Sequence, residues 1–283
     1  MNKIIIAVLL ALFPLFSSPE AAGDSSSGNA ADLVIHFIDV GQGDASFIEL
    51  PDGQNILIDT GGPAAGPRLV EYLRSLHIKK INHLILTHPH DDHIGGIFSL
   101  LSEFEIDKLY DNGFSNFSSN IYFDYVTAVR RNLSKYTILQ AGESLTFQDT
   151  RIDVFNPMLP PTGNLNNDSI VLRLIYNDIR VLFAGDVSAP GEFRLLKVST
   201  DLKSQILKAG HHGENDALSE KFLEAVRPEA ALISVSMINR YARPHQSVID
   251  RLSQRNIKIL RTDLHGHVVL KTDGRIFSVA KEK

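Results

Sequence analysis

The apolar positions of the chain fall into short runs of strand and helix type. Strands are predicted at 33–40, 46–50, 55–59, 83–86, 170–176, 180–184, 205–208, 230–235, 258–260 and 268–270. Helical spacing is found at 67–76, 94–104, 123–133, 219–226 and 246–254. Strands with interspersed helices predict a layered α/β sandwich, although periodicity alone does not distinguish it from a doubly wound sheet.

The first residues follow a different pattern. Asn2 and Lys3 precede an almost unbroken apolar run over 4–16, and a small, polar stretch follows. Because this run is too short to span a bilayer comfortably, we predict a signal peptide over 1–23, with an uncleaved anchor as the alternative. We predict a flexible linker over 24–32 and one folded domain over 33–283. The protein is thus expected to be exported, to the periplasm or outside the cell, with no stable membrane span after signal removal.

Composition limits the binding partners and the metal ligands that the chain can have. A net charge of -5 argues against a generally basic surface for nucleic acid. It does not exclude nucleic acid, because a metal site supplies its own positive charge. The chain has no cysteine, so disulfides and thiolate ligands are excluded, and any metal must be held by His and Asp.

Three of the 11 histidines lie in the short segment from His88 to His93, together with two aspartates. The segment follows a predicted strand that ends at Thr87, and α/β sheets usually place ligands at the carboxyl ends of their strands. Imidazoles and carboxylates at this spacing suit Zn²⁺ or Mn²⁺. A polar loop whose histidines face solvent is the alternative.

The segment THPHDDHIGG at 87–96 resembles the signature of the metallo-β-lactamase superfamily. Further segments continue the resemblance in order, namely DVGQGDA at 39–45, LIDTG at 57–61, FAGD at 183–186, KAGHHG at 208–213 and RTD at 261–263. Together they are similar to the hydrolase domain of ComEC-like competence proteins, from about residue 33 onward. The resemblance implies a four-layer αββα sandwich with a binuclear metal centre in the cleft between its sheets.

The resemblance also implies the metal ligands for two divalent ions. They are His88 and His90 for the first ion, Asp92 and His93 for the second, Asp186 as a bridge, and His211 or His212 to complete the second site. A bridging carboxylate reduces the repulsion between two neighbouring dications. The sequence does not say which histidine of the adjacent pair is the ligand.

One stretch departs from the wider superfamily. Many members supply a third histidine to the first metal here, whereas residues 164–169 read NLNNDS. ComEC-like proteins share an Asn/Ser-rich stretch at this place, and a site with two imidazoles suits a harder ion such as Mn²⁺. Asn166, Asn167 or Asp168 is a candidate oxygen ligand, Asn167 is also a candidate substrate contact, and a plain loop is the alternative.

The segment 239–245, NRYARPH, matches an Asn-x-Tyr-x-x-Pro-His segment of the same family. His245 is a candidate proton donor to a leaving group, and Arg240 and Arg243 are candidate contacts to an anionic substrate. The alternative is a helix cap with surface arginines. Asp91 or Asp186 is expected to orient the attacking water.

These features predict a metallo-hydrolase in which metal ions activate a water molecule. A phosphodiester, either DNA or a small molecule, is the first substrate class, because the ComEC-like domain is linked to DNA uptake and similar domains are regarded as nucleases. The alternatives are hydrolysis of a β-lactam, lactone or thioester, and a non-catalytic metal-binding module. No membrane channel is apparent in this sequence, so a free-standing relative is expected and a role in competence does not follow.

Overall fold

The computed structural model describes residues 32–132, 135–198 and 201–283. The predicted signal peptide, and the predicted linker up to residue 31, lie outside the described residues. In the part of the chain that is described, no helix is long and apolar enough to cross a membrane.

Eight strands form the first sheet: β1 (Leu33–Phe37), β2 (Ser46–Glu49), β3 (Asn55–Ile58), β4 (Lys80–Ile85), β5 (Glu105–Asp111), β6 (Tyr136–Ile138), β14 (Val268–Thr272) and β15 (Phe277–Lys281). Their order is β15-β14-β1-β2-β3-β4-β5-β6. Neighbours are antiparallel from β15 to β3 and parallel from β3 to β6.

Seven strands form the second sheet: β7 (Ser144–Phe147), β8 (Thr150–Asn156), β9 (Val171–Tyr176), β10 (Ile179–Phe183), β11 (Ile206–Lys208), β12 (Ala230–Ile233) and β13 (Lys258–Arg261). Their order is β13-β12-β11-β10-β9-β8-β7. This sheet is also mixed, antiparallel from β7 to β10 and parallel from β10 to β13.

Helices cover the outer face of each sheet. α1 (Gly66–Ser75), α2 (Asp91–Ile94), α3 (Ile97–Glu103) and α4 (Asn120–Asn132) contribute to an apolar cluster with the first sheet. α5 (Ala189–Val198), α6 (Glu220–Val226) and α7 (Gln246–Gln254) do so with the second, and the short α8 (Thr262–His265) follows β13. A third cluster fills the space between the sheets. The expected four-layer αββα sandwich is therefore confirmed.

The alternating direction of side chains along each strand explains these layers. In β1, Ile35 and Phe37 are buried between the two sheets, whereas His36 faces the helices and bonds Tyr72 and Glu49. Successive side chains of a strand point to opposite faces, so a strand inside a sheet can contribute to the layer between the sheets and to the layer under the helices. Burying one large apolar side chain stabilises the fold by roughly 1.5–3 kcal/mol.

The structure differs from the predicted elements at several places. The predicted helix over 94–104 is two helices, α2 and α3, separated by Gly95 and Gly96. A Cβ on Gly96 would collide with the carbonyl oxygen of Thr60, so the close packing at this place requires glycine. The pattern missed α5, which begins at Ala189-Pro190-Gly191, and the last strand, β15. The predicted helix over 123–133 begins earlier, at Asn120, and its residue 133 lies outside the described residues.

Candidate metal centre

Loops that follow strands of both sheets meet at one edge of the sandwich. Asp59 follows β3 and the segment from His88 to His93 follows β4 in the first sheet. Asp186 follows β10, and a 3-10 turn at Gly210–Gly213 follows β11 in the second. The two sheets are joined here, since the backbone N–H of Ile170 donates to the carbonyl oxygen of Thr87 at 2.8 Å. Segments far apart in sequence thus share one site at strand carboxyl ends.

Asp186 is the centre of this site. Its Oδ2 lies 3.8 Å from Nε2 of His88, 3.3 Å from Nε2 of His93 and 3.6 Å from Nε2 of His212. All four side chains are buried. A second carboxylate faces the same group, because Asp92 Oδ2 lies 3.4 Å from Nε2 of His212. Three imidazole nitrogens and two carboxylates therefore point into one small space.

The atoms of this group fit a metal site. Buried atoms without a hydrogen-bond partner among the described residues include His93 Nε2, His212 Nε2, Asp186 Oδ1, Asp44 Oδ1 and Asn166 Oδ1. Each such atom costs about 1–3 kcal/mol unless something else satisfies it. Ligand atoms lie within 4.8 Å of one another in four triads: His88, His93 and Asp186; Asp92, His93 and His212; Asp44, Asp186 and His212; and Asp44, Asp59 and His93. Imidazole nitrogen and carboxylate oxygen form the donor set that divalent transition metals bind.

Neighbouring groups fix which nitrogen of each histidine faces the centre. Nδ1 of His93 lies 2.9 Å from Asp59 Oδ2, and Nδ1 of His212 lies 3.1 Å from the carbonyl oxygen of Ser234. Asp59 is itself held by Thr87, whose backbone N–H donates at 2.7 Å and whose hydroxyl donates at 2.8 Å. Each imidazole donates its Nδ1–H outward, so its Nε2 is left as a ligand atom.

Burial and charge act in opposite directions on the histidines. Burial lowers the pKa of His93 and His212, but Asp186 and its neighbouring carboxylates outweigh it. They raise the pKa of His93 well above its usual value and that of His212 to about 9. Burial, with the positive charge on His93, holds the pKa of His88 well below its usual value. Burial also opposes ionisation of Asp186, yet the nearby imidazolium groups lower its pKa well below the usual range. The carboxylates are therefore anionic and attract cations.

The backbone is strained at the same place. Asp59, His211 and His212 adopt left-handed conformations, with φ of 59°, 48° and 54°. Side chains other than glycine rarely adopt this region, and such conformations cluster at functional sites. Gly185, with φ of 53°, precedes Asp186, and a Cβ there would lie 2.7 Å from the Cβ of Ser169. A larger residue would push the Asp186 loop away from its neighbour.

Comparison with known proteins agrees with this geometry. A family model described as the metallo-beta-lactamase superfamily matches residues 38–236. The chain belongs to the metallo-β-lactamase superfamily. This superfamily member is 31% identical over 265 residues to ComE operon protein 3 of Bacillus subtilis (strain 168), and 29% identical over 262 residues to Competence protein ComA of Neisseria gonorrhoeae.

These relatives are much longer than the region that matches. The two alignments cover 87% and 92% of this chain but 34% of each relative. Recombination protein 2 of Haemophilus influenzae (strain ATCC 51907 / DSM 11121 / KW20 / Rd) is 31% identical over 238 residues, which is 82% of this chain and 28% of the relative. The chain thus spans about a third of the length of the curated relatives, and the predicted resemblance to competence proteins is confirmed.

Solved structures show the same fold. The metallo-beta-lactamase fold protein YhfI from Bacillus subtilis matches with a TM-score of 0.53 at 13% identity, covering 81% of this chain and 95% of that chain. A diphosphatase from the PhnP family matches with a TM-score of 0.50 at 14% identity, covering 85% and 98%. At these identities the likeness is one of fold.

In this superfamily member the two adjacent histidines take different places. His212 enters two of the four triads, whereas His211 enters none of those found among the described residues. Nε2 of His211 instead lies 3.0 Å from an Nη2 of Arg243 and 3.2 Å from Nδ2 of Asn166, both donors. Burial lowers the pKa of His211, which suits a neutral acceptor. The structure therefore brings His212 to the centre, and His211 to its rim.

The polar side chains of residues 164–169, the stretch without a histidine, make different hydrogen bonds. Asp168 accepts from the backbone N–H of Thr162 at 2.8 Å. Asn167 Oδ1 accepts from the backbone N–H groups of Ser188 and Gly191, both at 3.1 Å, and so holds the start of α5. Asn166 keeps its Oδ1 buried and unpaired. Of the three candidates, Asn166 has the oxygen available to a metal, while the side-chain oxygen of Asn167 is engaged by the backbone at the start of α5 and its role as a substrate contact stays a prediction.

His90 lies next to His88 at the edge of the centre, and its role as a metal ligand stays a prediction. Its Nδ1 is 2.9 Å from Nε2 of His88, and the triads identified among the described residues do not include it. Asp91 is exposed and accepts a hydrogen bond from the hydroxyl of Ser119. The structure therefore does not bring Asp91 to the carboxylates of the centre.

The candidate residues of the segment 239–245 also have different surroundings. His245 begins α7 as its cap, with Nδ1 accepting from the backbone N–H of Ser247 at 3.3 Å. The exposed Arg240 donates to the hydroxyl of Tyr241. His245 thus caps the helix as the alternative anticipated, while its role as a proton donor stays a prediction. Of the two arginines, the structure brings Arg243 to the rim.

Sequence reasoning gave no role to several residues of the site. Asp59 and Ser234 orient histidines, and Asp44 pairs with the buried Lys208 at 2.6 Å while its Oδ1 lies 3.4 Å from Nδ1 of His212. A signal was present for Asp59, because a carboxylate directly after the apolar run Ile56-Leu57-Ile58 is placed at the carboxyl end of that strand. No local pattern identifies Ser234, since its backbone oxygen makes the contact.

Proposed function

We propose that this superfamily member is a metal-dependent phosphodiesterase that holds two divalent ions, Zn²⁺ or Mn²⁺. The observation that carries the proposal is the position of Asp186 Oδ2, within 3.3–3.8 Å of three histidine Nε2 atoms. His88, His93, His212, Asp92 and Asp186 would hold the ions, with His90 and Asn166 beside them. Ions held there would supply a Lewis acid and an activated water.

Arg243 supports a phosphate as the group that reacts. Its Nε donates to Glu214 Oε2 at 2.7 Å, and its guanidinium lies 4.7 Å from the ring centre of Tyr241. The guanidinium is thereby fixed at the rim of the centre, next to His211. A planar, permanently charged fork of donors matches the oxygens of a phosphate better than a neutral carbonyl group.

DNA is the substrate class we propose first. Relatives of this chain are named as competence and recombination proteins, and both terms concern DNA. The proposed signal peptide would place the enzyme outside the cytoplasm, in the periplasm or the medium. Small phosphodiesters remain in the same reaction class, because the centre acts on the phosphate.

A three-substrate panel tests the proposal. Purified protein with Mn²⁺ or Zn²⁺ is assayed on bis(p-nitrophenyl) phosphate, plasmid DNA and a chromogenic β-lactam, with EDTA as the metal-free control. We expect cleavage of the first two, lost in EDTA and reduced at least about 100-fold in Asp186→Asn and His88→Ala. The exposed His77→Ala is the matched control and should retain full activity. Cleavage of the β-lactam alone, or of no substrate by the metal-loaded protein, would overturn the proposal.

A further inference from the structure

Two phenylalanine rings are exposed near the metal centre. Phe117 is 77% exposed and Phe123 is 49% exposed, and their ring centroids lie 6.3 Å apart at an angle of 41°. Large apolar side chains are usually buried, and neighbouring exposed ones mark contact surfaces. We call Phe117 and Phe123 the aromatic pair.

The loop that carries Phe117 is fixed to the rim of the centre. It joins β5 to α4, and Nδ2 of Asn116 donates to the carbonyl oxygen of Pro89 at 3.0 Å, between His88 and His90. At the start of the loop, Nδ2 of Asn112 donates to the carbonyl oxygen of Asp168 at 3.0 Å. The loop therefore runs from the Asn-rich stretch to the histidine segment, and Phe117 directly follows the residue that is bonded to the histidine segment.

Hydrogen bonds within the loop hold its shape. The backbone N–H of Ser118 donates to Asn116 Oδ1 at 3.2 Å, and that of Tyr122 donates to the hydroxyl of Ser119 at 3.0 Å. The hydroxyl of Tyr122 donates to Ser115 at 2.9 Å. Rings offered by a preformed loop lose little conformational entropy when a ligand binds them.

We infer that the aromatic pair is a stacking platform for an unpaired base of the nucleic-acid substrate, an inference that rests on the proposed phosphodiesterase function. Arg243 lies at the rim of the centre beside His211 and suits a phosphate. The aromatic pair is carried by the loop and helix that follow β5, a loop bonded to the histidine segment through Pro89, and it suits the face of a base. Every base has a π-face, so stacking tolerates any sequence. Bases of a duplex are already stacked on one another, and the pair therefore favours single strands over duplex.

The surroundings favour a base over a lipid surface. The loop around Phe117 is polar, with Ser115, Asn116, Ser118 and Asn120 as neighbours in sequence. Two rings next to a phosphate-binding centre match one or two nucleotides, whereas a lipid anchor needs a larger apolar area.

Oligonucleotide binding to the full metal-free chain tests the platform without cleavage. Anisotropy is measured with a fluorescent twelve-nucleotide oligothymidylate and with a matched abasic strand. Phe117→Ala and Phe123→Ala should weaken binding of the oligothymidylate by roughly 5- to 150-fold, the equivalent of about 1–3 kcal/mol per stacked base. Their binding of the abasic strand should change less than about twofold, and Phe117→Trp should retain tight binding.

Phe193→Ala is the matched control, since Phe193 is 53% exposed but lies on α5 with Lys197 over its ring. It should change neither affinity. Unchanged oligothymidylate binding in both alanine variants, or an equal loss on the abasic strand, would overturn the platform. So would binding to phosphatidylglycerol vesicles that depends on the pair while oligothymidylate binding does not. If binding depends on the pair but the metal-loaded wild type cleaves no phosphodiester, the proposed function fails and the platform stands.

Discussion

Asp59→Asn is the most informative single substitution, because it changes one atom outside the metal ligands. Asp59 accepts three hydrogen bonds, from His93 Nδ1 at 2.9 Å and from the N–H and hydroxyl of Thr87 at 2.7 and 2.8 Å. An asparagine has nearly the same shape but replaces one acceptor oxygen with a donor NH₂ group. If the NH₂ faces His93, that imidazole must accept at Nδ1 and carry its proton on Nε2.

The expected loss of metal affinity follows from the exchange of an acceptor for a donor at Asp59. A hydrogen bond to a charged group contributes about 1.5–3 kcal/mol, and Nε2 of His93 is a ligand atom only when it carries no proton. Loss of a partner behind a ligand histidine typically weakens metal binding 10- to 100-fold. We therefore expect the Kd for the metal that His93 binds to rise by about 10- to 100-fold, or about 1.4–2.7 kcal/mol.

The assay is a competition titration of Zn²⁺ or Mn²⁺ against a chelating dye, with the metal-free Tm as a check of folding. Asp107→Asn is the matched control, because Asp107 lies on the same sheet at its other end, paired with Lys80 at 2.9 Å. It should leave metal affinity unchanged. Wild-type metal affinity in a folded Asp59→Asn protein would refute the idea that Asp59 sets the orientation of His93.

Four further predictions concern charge. Lys208→Met leaves the buried carboxylate of Asp44 without its cation, and urea unfolding should show a loss of about 3–5 kcal/mol; a loss below about 1 kcal/mol would argue against the ion pair. Arg243→Ala should raise KM for bis(p-nitrophenyl) phosphate roughly 10- to 150-fold with little change in Tm, whereas an unchanged KM would mean that Arg243 does not bind the phosphate. Because His93 and His212 have raised pKa values, metal binding at neutral pH should release about two protons, measured by calorimetry in buffers of different ionisation enthalpy. The same raised pKa means that the contribution of His212 to the stability of the metal-free protein is complete below the ordinary pKa of 6.5 and is lost as pH rises through about 9; a stability that does not fall over this range would contradict this.

Much of the fold and half of the site could be predicted from local sequence. The strand before Thr87 and the cluster from His88 to His93 are continuous in sequence, so one pattern contained both. A glycine pair directly after the histidine cluster indicates close packing of the backbone, and Gly96 is such a position. In contrast, the start of α5 is held by Asn167, 21 residues before Ser188, and no periodic pattern records that contact.

The remaining half of the site depends on contacts between distant segments. His211 and His212 are adjacent and chemically identical, and only the turn after β11 determines which one faces Asp186. The partner of His93 is Asp59, 34 positions earlier, and the partner of His212 is a backbone oxygen. Side-chain identity predicts neither pairing, which is why the sequence pointed to ligands more readily than to the groups that orient them.

We propose that the group around Asp186 holds the reactive metal ions. The most direct measurement is anomalous diffraction from crystals of the whole chain grown with Mn²⁺, recorded on both sides of the manganese absorption edge. We predict manganese density in the space bounded by His88, His93, His212, Asp92 and Asp186, and none there in crystals of Asp186→Asn. Manganese density elsewhere on the protein, with none in this space, would contradict the claim.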